Sequence, residues 1–384
     1  MKILSVFGTR PEAVKMAPIV RLLKETPSIE SPVCVTAQHR QMLDQVLELF
    51  EIKPDYDLDL MRENQSMAQI SAGIFTHLDP ILAEFKPDWV LAVGDTTTVV
   101  TTSLLAFYRR IKFGHVEAGL RTHNKWHPFP EEINRRLATT TADLHFAPTE
   151  WSRQNLLHEN VPDESIVVTG NPVIDALMYV SKQDEPQEIK QLLEQLGISG
   201  QGARGLETRR LILVTAHRRE NFGEPIENIC HALKQLASRE DVEIVYPIHL
   251  NPNVQKPVNR ILKNVPHVTL LPPLDYLPMV HLMKRATLIL TDSGGIQEET
   301  TFLGIPCLTL RENTERPVTV EMGTNTIVGN SPERITTAAF RALDSFETQN
   351  HRVPPLWDGH TADRILDVLL EASKQSESFN EHRS

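Results

Sequence analysis

The chain of 384 residues is 40% hydrophobic and 23% charged, a balance typical of a folded protein large enough for two domains. Its 39 basic and 50 acidic side chains give a net charge of −11 without any long basic run, which argues against nucleic acid as a partner. No apolar run approaches the roughly 20 residues of a membrane span, so we expect no membrane contact. The three cysteines have no short spacing between them, which favours a reducing cytoplasm over a disulfide framework.

Short apolar runs alternate with helix-like segments from the first residues onward. The run Ile3–Phe7 ends in a Gly-Thr turn, and Pro11 and Glu12 then begin a predicted helix that extends to about Lys24. Because strands that alternate with helices form parallel sheets covered on both faces, the pattern predicts an α/β fold. The further predicted strands are 33–36, 89–93, 111–116, 144–147, 166–168, 211–214, 243–247, 269–271, 288–291 and 307–310.

Two such series occur, one ending near Gly170 and one starting near Arg209, with a polar, glycine-containing segment between them. We therefore predict two doubly wound, Rossmann-like domains facing each other across a cleft. Ligands of open α/β sheets bind at the carboxyl ends of strands, so the polar loops at those ends are the candidate site. No Gly-x-Gly-x-x-Gly follows the first strand and no P-loop motif is present, which argues against a dinucleotide-dependent dehydrogenase and a P-loop enzyme.

The segment 288–300 carries the strongest functional signal. An apolar run ends at Thr291, and Ser293, Gly294 and Gly295 then lead into a helix-like stretch. Free amides and the helix dipole favour an anion at such a start, and the glycines let a phosphate approach the backbone. The segment therefore predicts a phosphate or diphosphate site. Chymotrypsin-like proteases carry Asp-Ser-Gly-Gly around their nucleophile, but their chemistry requires a β-barrel context.

Charged side chains follow several other predicted strands. Asp95 follows one strand, where it could act as an acid or base or could cap the next helix. Glu117 follows another strand, and Arg121 nearby could hold an anion or pair with an acid. Glu131 and Glu132 begin a later helix, where acids are also common because they suit the helix dipole.

Two later loops add basic side chains. His217 stands beside Arg218 in a polar loop at a strand end, which makes it a better catalytic candidate than a buried histidine. Arg316 could contact a phosphate or pair with Glu315 or Glu321. We predict no metal centre, because the candidate ligands in the middle of the chain match no standard zinc spacing. The side chains considered for such a centre are His115, His123, His127 and Glu131.

Eight motifs occur together over about residues 1–360: Gly8-Thr-Arg-Pro-Glu-Ala, Gly94-Asp-Thr, His115-Val-Glu-Ala-Gly-Leu-Arg-Thr, Phe129-Pro-Glu-Glu-Ile-Asn-Arg, Thr169-Gly-Asn-Pro, Thr215-Ala-His-Arg-Arg-Glu-Asn, Thr291-Asp-Ser-Gly-Gly-Ile-Gln-Glu-Glu and Thr314-Glu-Arg-Pro. In content and order they resemble the non-hydrolysing UDP-N-acetylglucosamine 2-epimerases. That family has the glycosyltransferase-B fold, and its last helix returns to the first domain. The resemblance implies a first domain of residues 1–172 with a helix at 361–373, and a second, UDP-binding domain of residues 173–360.

The resemblance implies the interconversion of UDP-N-acetylglucosamine (UDP-GlcNAc) and UDP-N-acetylmannosamine (UDP-ManNAc). The family's route is anti elimination of UDP to 2-acetamidoglucal, followed by re-addition, without a redox cofactor. A homodimer and a role in ManNAc-containing surface polysaccharides are also implied. The implied catalytic residues are Asp95, Glu117, Glu131 and His217. The implied substrate ligands are Arg10, Lys15, Arg135, Ser293, Gly294, Gly295, Glu299 and Arg316.

Bacterial members of that family are activated by a second UDP-GlcNAc molecule, and the matching positions here are Gln38, Gln41, Gln65 and Arg218. Three alternatives stay open. The substrate could be a related UDP-2,3-diacetamido uronic acid, or the chain could be a UDP-sugar glycosyltransferase of the same fold or a UDP-sugar sensor without catalytic activity. Which carboxylate acts in which step also stays open at this point.

Overall fold

The computed structural model describes residues 1–37, 40–60, 62, 65–198, 209–345 and 352–381, with residues 40, 41 and 375–381 described by their backbone alone. The chain divides into two units. The first comprises Met1–Ala176 and Pro355–Ser384, and the second comprises Leu177–Pro354. Among the described residues, no helix is long and apolar enough to span a lipid bilayer.

The first unit contains a parallel sheet whose strands, in chain order, are β1 (Ile3–Phe7), β2 (Val33–Val35), β3 (Tyr56–Asp57), β4 (Trp89–Val93), β5 (Lys112–Val116), β6 (Leu144–Ala147) and β7 (Ile166–Val168). Their spatial order is β3-β2-β1-β4-β5-β6-β7. β1 and β4 are buried along their whole length, as expected for central strands of a parallel sheet. The chain's direction of progress across the sheet reverses between β1 and β4, which is where open α/β sheets bind ligands.

The helices of the first unit are α1 (Arg10–Glu25), α2 (Arg40–Leu49), α3 (Met67–Phe85), α4 (Thr97–Arg109), α5 (Glu131–Thr141), α6 (Glu150–His158) and the C-terminal helix α15 (Thr361–Glu381). α15 packs against α1, and the backbone N–H of Ala362 donates to Asp175 Oδ1 at 2.9 Å. This last helix begins where the sequence predicted it. It continues beyond residue 373 to Glu381, because residues 374–381 contain neither proline nor glycine to end it.

The second unit contains a parallel sheet of β8 (Arg210–Thr215), β9 (Val242–Pro247), β10 (Val268–Leu271), β11 (Leu288–Thr291), β12 (Cys307–Thr309) and β13 (Asn325–Ile327). Their spatial order is β10-β9-β8-β11-β12-β13, so the reversal lies between β8 and β11. α7 (Pro172–Ser181) contains the division between the units. The remaining helices are α8 (Gln187–Gln195), α9 (Glu224–Leu236), α10 (Pro252–Leu262), α11 (Tyr276–Arg285), α12 (Gly294–Leu303), α13 (Pro317–Glu321) and α14 (Pro332–Asp344).

The two parallel sheets with interleaved helices confirm the predicted α/β class. All strands predicted from the sequence are present, with ends that differ by one residue at most in β2, β5, β8, β9, β10 and β12. β3 and β13 were not predicted. The cysteines Cys34, Cys230 and Cys307 are buried thiols, and burial raises the pKa of each to about 12.

Candidate functional site

A buried glutamate organises the loops at the β1–β4 switch point. Glu12 Oε2 accepts hydrogen bonds from the backbone N–H groups of Gly8 at 2.9 Å and Thr9 at 2.7 Å. Its other oxygen accepts from the Thr96 hydroxyl at 2.5 Å. Burial raises the pKa of Glu12, and these hydrogen bonds oppose the rise without cancelling it. Glu12 therefore joins the loop after β1 to the loop that carries Asp95, a role that the sequence analysis did not assign.

Helix α1 also brings a predicted substrate ligand to a predicted catalytic acid. Lys15 Nζ lies 2.5 Å from Glu117 Oε1, and both side chains are nearly buried. Glu117 follows β5 directly and has a φ of +62°, a left-handed conformation that is uncommon for a residue other than glycine. Such backbone strain is found preferentially at functional sites. Arg10, the first residue of α1, is half-buried.

Asp95 follows β4 and pairs with Arg135 of α5. The Asp95 side chain is 26% exposed, whereas that of Arg135 is 4% exposed, so the carboxylate lies nearer the surface than its counter-ion. Asn134 Nδ2 donates to the backbone oxygen of Asp95 at 3.0 Å. The structure therefore brings together Asp95 and Arg135, which are 40 residues apart in the sequence.

The two glutamates that begin α5 have different surroundings. Glu132 is fully buried and accepts from the backbone N–H groups of Thr122 and His123, both at 3.0 Å. Its Oε2 also lies 3.2 Å from Arg135 Nη1. Glu131 is only partly buried. The geometry assigns Glu132 to holding the preceding loop and leaves Glu131 as the acid that a ligand can reach.

Arg121 and His115, which the sequence offered as candidate site residues, are instead bonded to other groups within the fold. Arg121 pairs with both carboxylate oxygens of Glu159, at 2.8 and 2.7 Å, so the acid-pairing alternative is the one observed. His115 is fully buried and its Nε2 lies 2.7 Å from the backbone oxygen of Gly94. Burial lowers the pKa of His115 to about 4. Across the described ranges, no three side chains of His, Cys, Asp or Glu are grouped as a metal site would require.

In the second unit, the start of α12 lies at the β8–β11 switch point. Ser293 is the N-cap residue, but its side chain makes no capping hydrogen bond to the helix. A Cβ added at Gly295 would meet open space, whereas one added at Gly294 would collide with the guanidinium of Arg316. The first amides of α12 and the Arg316 side chain therefore share one small region, which has the composition of an anion site.

Arg316 and Glu299 are both fixed by neighbouring side chains. Arg316 lies 3.0 Å from Glu298 and 2.5 Å from Glu315. The Tyr276 hydroxyl donates to Glu299 Oε1 at 2.6 Å, a contact that the sequence analysis missed. These pairings hold the predicted phosphate and nucleotide ligands against α12.

His217 lies in the loop after β8, and its side chain is 37% exposed. Its ring stacks on that of His249, with 5.2 Å between the ring centroids. Asp292 Oδ2 accepts from the backbone N–H groups of His217 and Arg218, both at 2.8 Å. Neither His249 nor Asp292 was predicted as a site residue, and the signal for Asp292 in the sequence is its position directly before Ser293.

The positions matched to an activator site are only partly described. Gln38 and the side chain of Gln41 lie outside the described residues. Gln65 Oε1 accepts from the backbone N–H of Arg62 at 3.0 Å. Arg218 Nε is buried and has no hydrogen-bond partner within the part of the chain that the structure describes.

Comparisons with known proteins agree over nearly the whole chain. Residues 21–370 match the family model of UDP-N-acetylglucosamine 2-epimerase. A UDP-N-acetylglucosamine 2-epimerase of Salmonella typhimurium is 53% identical over 375 residues, which are 96% of this chain and 98% of that protein. A curated protein of the same name from Escherichia coli strain K12 is 53% identical over 373 residues, or 96% of this chain and 98% of its own.

Solved structures give the same result. The UDP-GlcNAc 2-epimerase of Neisseria meningitidis bound to UDP-GlcNAc has a TM-score of 0.90 and 47% identity, covering 97% of this chain and all of that one (100%). The Methanocaldococcus jannaschii UDP-GlcNAc 2-epimerase in complex with UDP-GlcNAc and UDP has a TM-score of 0.83 and 32% identity, covering 97% and 100%. A kitacinnamycin glycosyltransferase, at 11% identity and a TM-score of 0.58, shows the shared glycosyltransferase-B fold alone. The chain therefore belongs to the UDP-N-acetylglucosamine 2-epimerase family.

Proposed function

We propose that this chain interconverts UDP-GlcNAc and UDP-ManNAc without hydrolysing them. The observation that carries the proposal is the placement of two carboxylates of the first unit beside cations at strand ends, Asp95 with Arg135 and Glu117 with Lys15. Glu131 adds a third, partly exposed carboxylate. A glycosyltransferase or a sensor has no need of three such acids, whereas the inversion of a C–H centre needs positioned acids and bases.

In the proposed reaction, a carboxylate removes the proton from carbon 2 of the sugar. The C–H electron pair forms the C1–C2 double bond, and the C1–O bond breaks as UDP leaves with its electron pair. UDP then adds back to carbon 1 of the resulting 2-acetamidoglucal, and a proton is delivered to the opposite face of carbon 2. Asp95, Glu117 and Glu131 are the proposed acids and bases, and such groups typically contribute about 100- to 10,000-fold each.

The leaving diphosphate needs positive charge and free amides. We assign that role to the start of α12, through the Ser293 hydroxyl and the backbone N–H groups of Gly294 and Gly295, together with Arg316 and His217. Together these groups stabilise the negative charge that develops on the diphosphate as the C1–O bond breaks. Arg10, Lys15 and Glu299 complete the proposed set of substrate ligands.

Incubation with UDP-GlcNAc in heavy water, followed by proton NMR, tests this function. We expect an anomeric signal of UDP-ManNAc without any acceptor present, and deuterium at carbon 2 of the product. A glycosyltransferase or a sensor would give no UDP-ManNAc, and an epimerase of the related uronic acid would convert only that sugar nucleotide. UDP-ManNAc that lacks deuterium would contradict the elimination route.

We further propose that the protein is a cytoplasmic homodimer whose product is used for ManNAc-containing surface polysaccharides. The buried, reduced cysteines suit a reducing compartment. Phe107 and Tyr108 of α4 are 62% and 65% exposed, and Leu137 of the adjoining α5 is 47% exposed. Large apolar side chains left exposed on packed helices suit an interface between copies. A sedimentation measurement that gives the monomer mass would contradict the dimer.

We also propose that UDP-GlcNAc activates its own conversion through Gln38, Gln41, Gln65 and Arg218. Arg218 Nε is buried and has no hydrogen-bond partner among the described residues, which supports a ligand contact at that position. We expect a sigmoidal rate curve in UDP-GlcNAc, and a reverse reaction from UDP-ManNAc that stays slow until UDP-GlcNAc accumulates. A hyperbolic curve together with a reverse reaction free of any lag would rule this regulation out.

A further inference from the structure

Asp292 joins β11 to α12 and is fully buried. Its Oδ2 accepts hydrogen bonds from the backbone N–H groups of His217 and Arg218, both at 2.8 Å. Asn221 Nδ2 donates to the same oxygen at 3.0 Å. Through these three hydrogen bonds, Asp292 fixes the loop after β8 against the start of α12.

The second carboxylate oxygen, Oδ1, accepts none of these hydrogen bonds from the loop. Asp292 Oδ1 is buried without a hydrogen-bond partner among the described residues, and it lies 3.7 Å from His217 Nδ1. An unpaired buried acceptor costs about 1–3 kcal/mol, so a partner that completes it is expected. A movement of about 1 Å would bring the imidazole to ordinary hydrogen-bond distance. The ring of His249, stacked on His217 with an interplanar angle of 13°, favours movement within the ring plane.

We propose that Asp292 is the positioning residue for His217: Oδ1 accepts the Nδ1 proton of the imidazole, which leaves Nε2 to donate a hydrogen bond to the diphosphate. In the bound state the ring carries a proton on both nitrogens, and the carboxylate stabilises that cation. This inference rests on the proposed role of His217 as a diphosphate ligand. It assigns to Asp292 a function beyond holding the loop.

Asp292→Asn separates the two roles of the side chain. The amide oxygen can still accept the three hydrogen bonds of the loop, while the amide nitrogen takes the place of Oδ1. That nitrogen only donates, so it cannot accept the Nδ1 proton of His217. The substitution therefore keeps the size of the side chain and the loop contacts, and removes the acceptor that faces the ring.

The test is a double-mutant cycle on the dissociation constant of UDP, measured by calorimetry for the wild type, Asp292→Asn, His217→Asn and the double variant. We expect each single substitution to weaken UDP binding about 10-fold or more, because a charge-assisted hydrogen bond is lost. The double variant should bind no more weakly than the weaker single variant, since Asp292 acts through His217. If Asp292→Asn weakens binding by the same factor when His217 is absent, the proposal is wrong.

Asn221→Ala is the matched control, because Asn221 bonds to the other oxygen of Asp292 and to the backbone oxygen of Leu310. Asn221→Ala should lower the melting temperature, and its effect on the dissociation constant of UDP should be the same with and without His217→Asn. A second measurement needs no variant of Asp292. In the ¹⁵N spectrum of the UDP complex, the His217 signals, identified by their loss in His217→Asn, should show both ring nitrogens protonated. An Nδ1 without a proton would overturn the proposal.

These outcomes are separable from those of the epimerase assay. If the double-mutant cycle shows coupling between Asp292 and His217 in UDP binding but the wild type forms no UDP-ManNAc, the proposed function is contradicted and the role of Asp292 stands. If the wild type forms UDP-ManNAc but the cycle shows no coupling, the proposed role of Asp292 is contradicted and the proposed function stands.

Discussion

Adjacent acids on α5 provide a matched pair of substitutions. Glu131→Gln should lower turnover by about 100-fold or more while the melting temperature changes little, because the side chain is partly exposed and is assigned to proton transfer. Glu132→Gln should lower the melting temperature, because a buried acceptor of two backbone N–H groups is weakened. Initial rates and thermal unfolding of both variants provide the measurement.

Each variant serves as the control for the other. Equal losses of turnover in the two variants, at equal melting temperatures, would show that burial does not separate their roles. A fully active Glu131→Gln enzyme would remove Glu131 from the catalytic set.

This distinction could not be made from the sequence. The pattern predicted two acids at a helix start, and both suit the helix dipole equally. What separates them is a contact between Glu132 and the backbone of Thr122 and His123, which depends on how the intervening loop folds. The contact between Asp292 and the backbone of His217 was hidden for the same reason, since it joins residues 75 positions apart.

Among the strands, the sequence was informative where the apolar runs were long. β1 and β4 were predicted with their observed ends, because five buried residues in a row followed by a polar turn leave little choice. β3 and β13 are sheet-edge strands of two and three residues that include Asp57 and Asn325, and so short a segment has almost no periodic pattern. The loops at the ends of the central strands were therefore predictable. Among the edge strands, β7 and β10 were predicted from their apolar runs, whereas β3 and β13 were not.

Two buried histidines on the neighbouring strands β5 and β6 should make the stability of the fold depend on pH. His115 and His145 are directly opposite each other on these strands, and burial lowers their pKa values to about 4 and about 3. Both are neutral in the folded chain at pH 5, whereas the unfolded chain binds protons with a pKa of about 6.5. The unfolded state therefore binds more protons between pH 6.5 and 4, and stability must fall as the pH falls through that window.

His145→Gln should reduce this dependence. Each such histidine contributes on the order of 3 kcal/mol to the loss at low pH, so the variant's melting temperature should fall less steeply between pH 6.5 and 4. His158→Gln, at an exposed position of α6, is the control and should follow the wild-type curve. Parallel curves for all three proteins would show that His145 does not take up a proton on unfolding.

At the scale of the whole molecule, the proposed chemistry is divided between the units. The carboxylates Asp95, Glu117 and Glu131 belong to the first unit, and the proposed diphosphate ligands Ser293 and Arg316 belong to the second. Asp95 follows β4 and Ser293 follows β11, and each of these strands lies where its own sheet reverses its strand order. UDP lacks the sugar on which the carboxylates act, so it should stabilise the second unit more than the first.

Hydrogen exchange with and without UDP measures this difference along the chain. When the free UDP concentration is 100 times the dissociation constant, UDP binding should add about 2.7 kcal/mol to the free energy of unfolding of the protein. We expect the slowest exchange to appear in the loop after β8 and at the start of α12, with smaller changes in the loops after β4 and β5. Uridine, which lacks the diphosphate, should leave the start of α12 unprotected because that helix start is assigned to the phosphates. Protection by UDP that is strongest around Asp95 and absent around Ser293 would place the diphosphate in the first unit and contradict the assignment of α12.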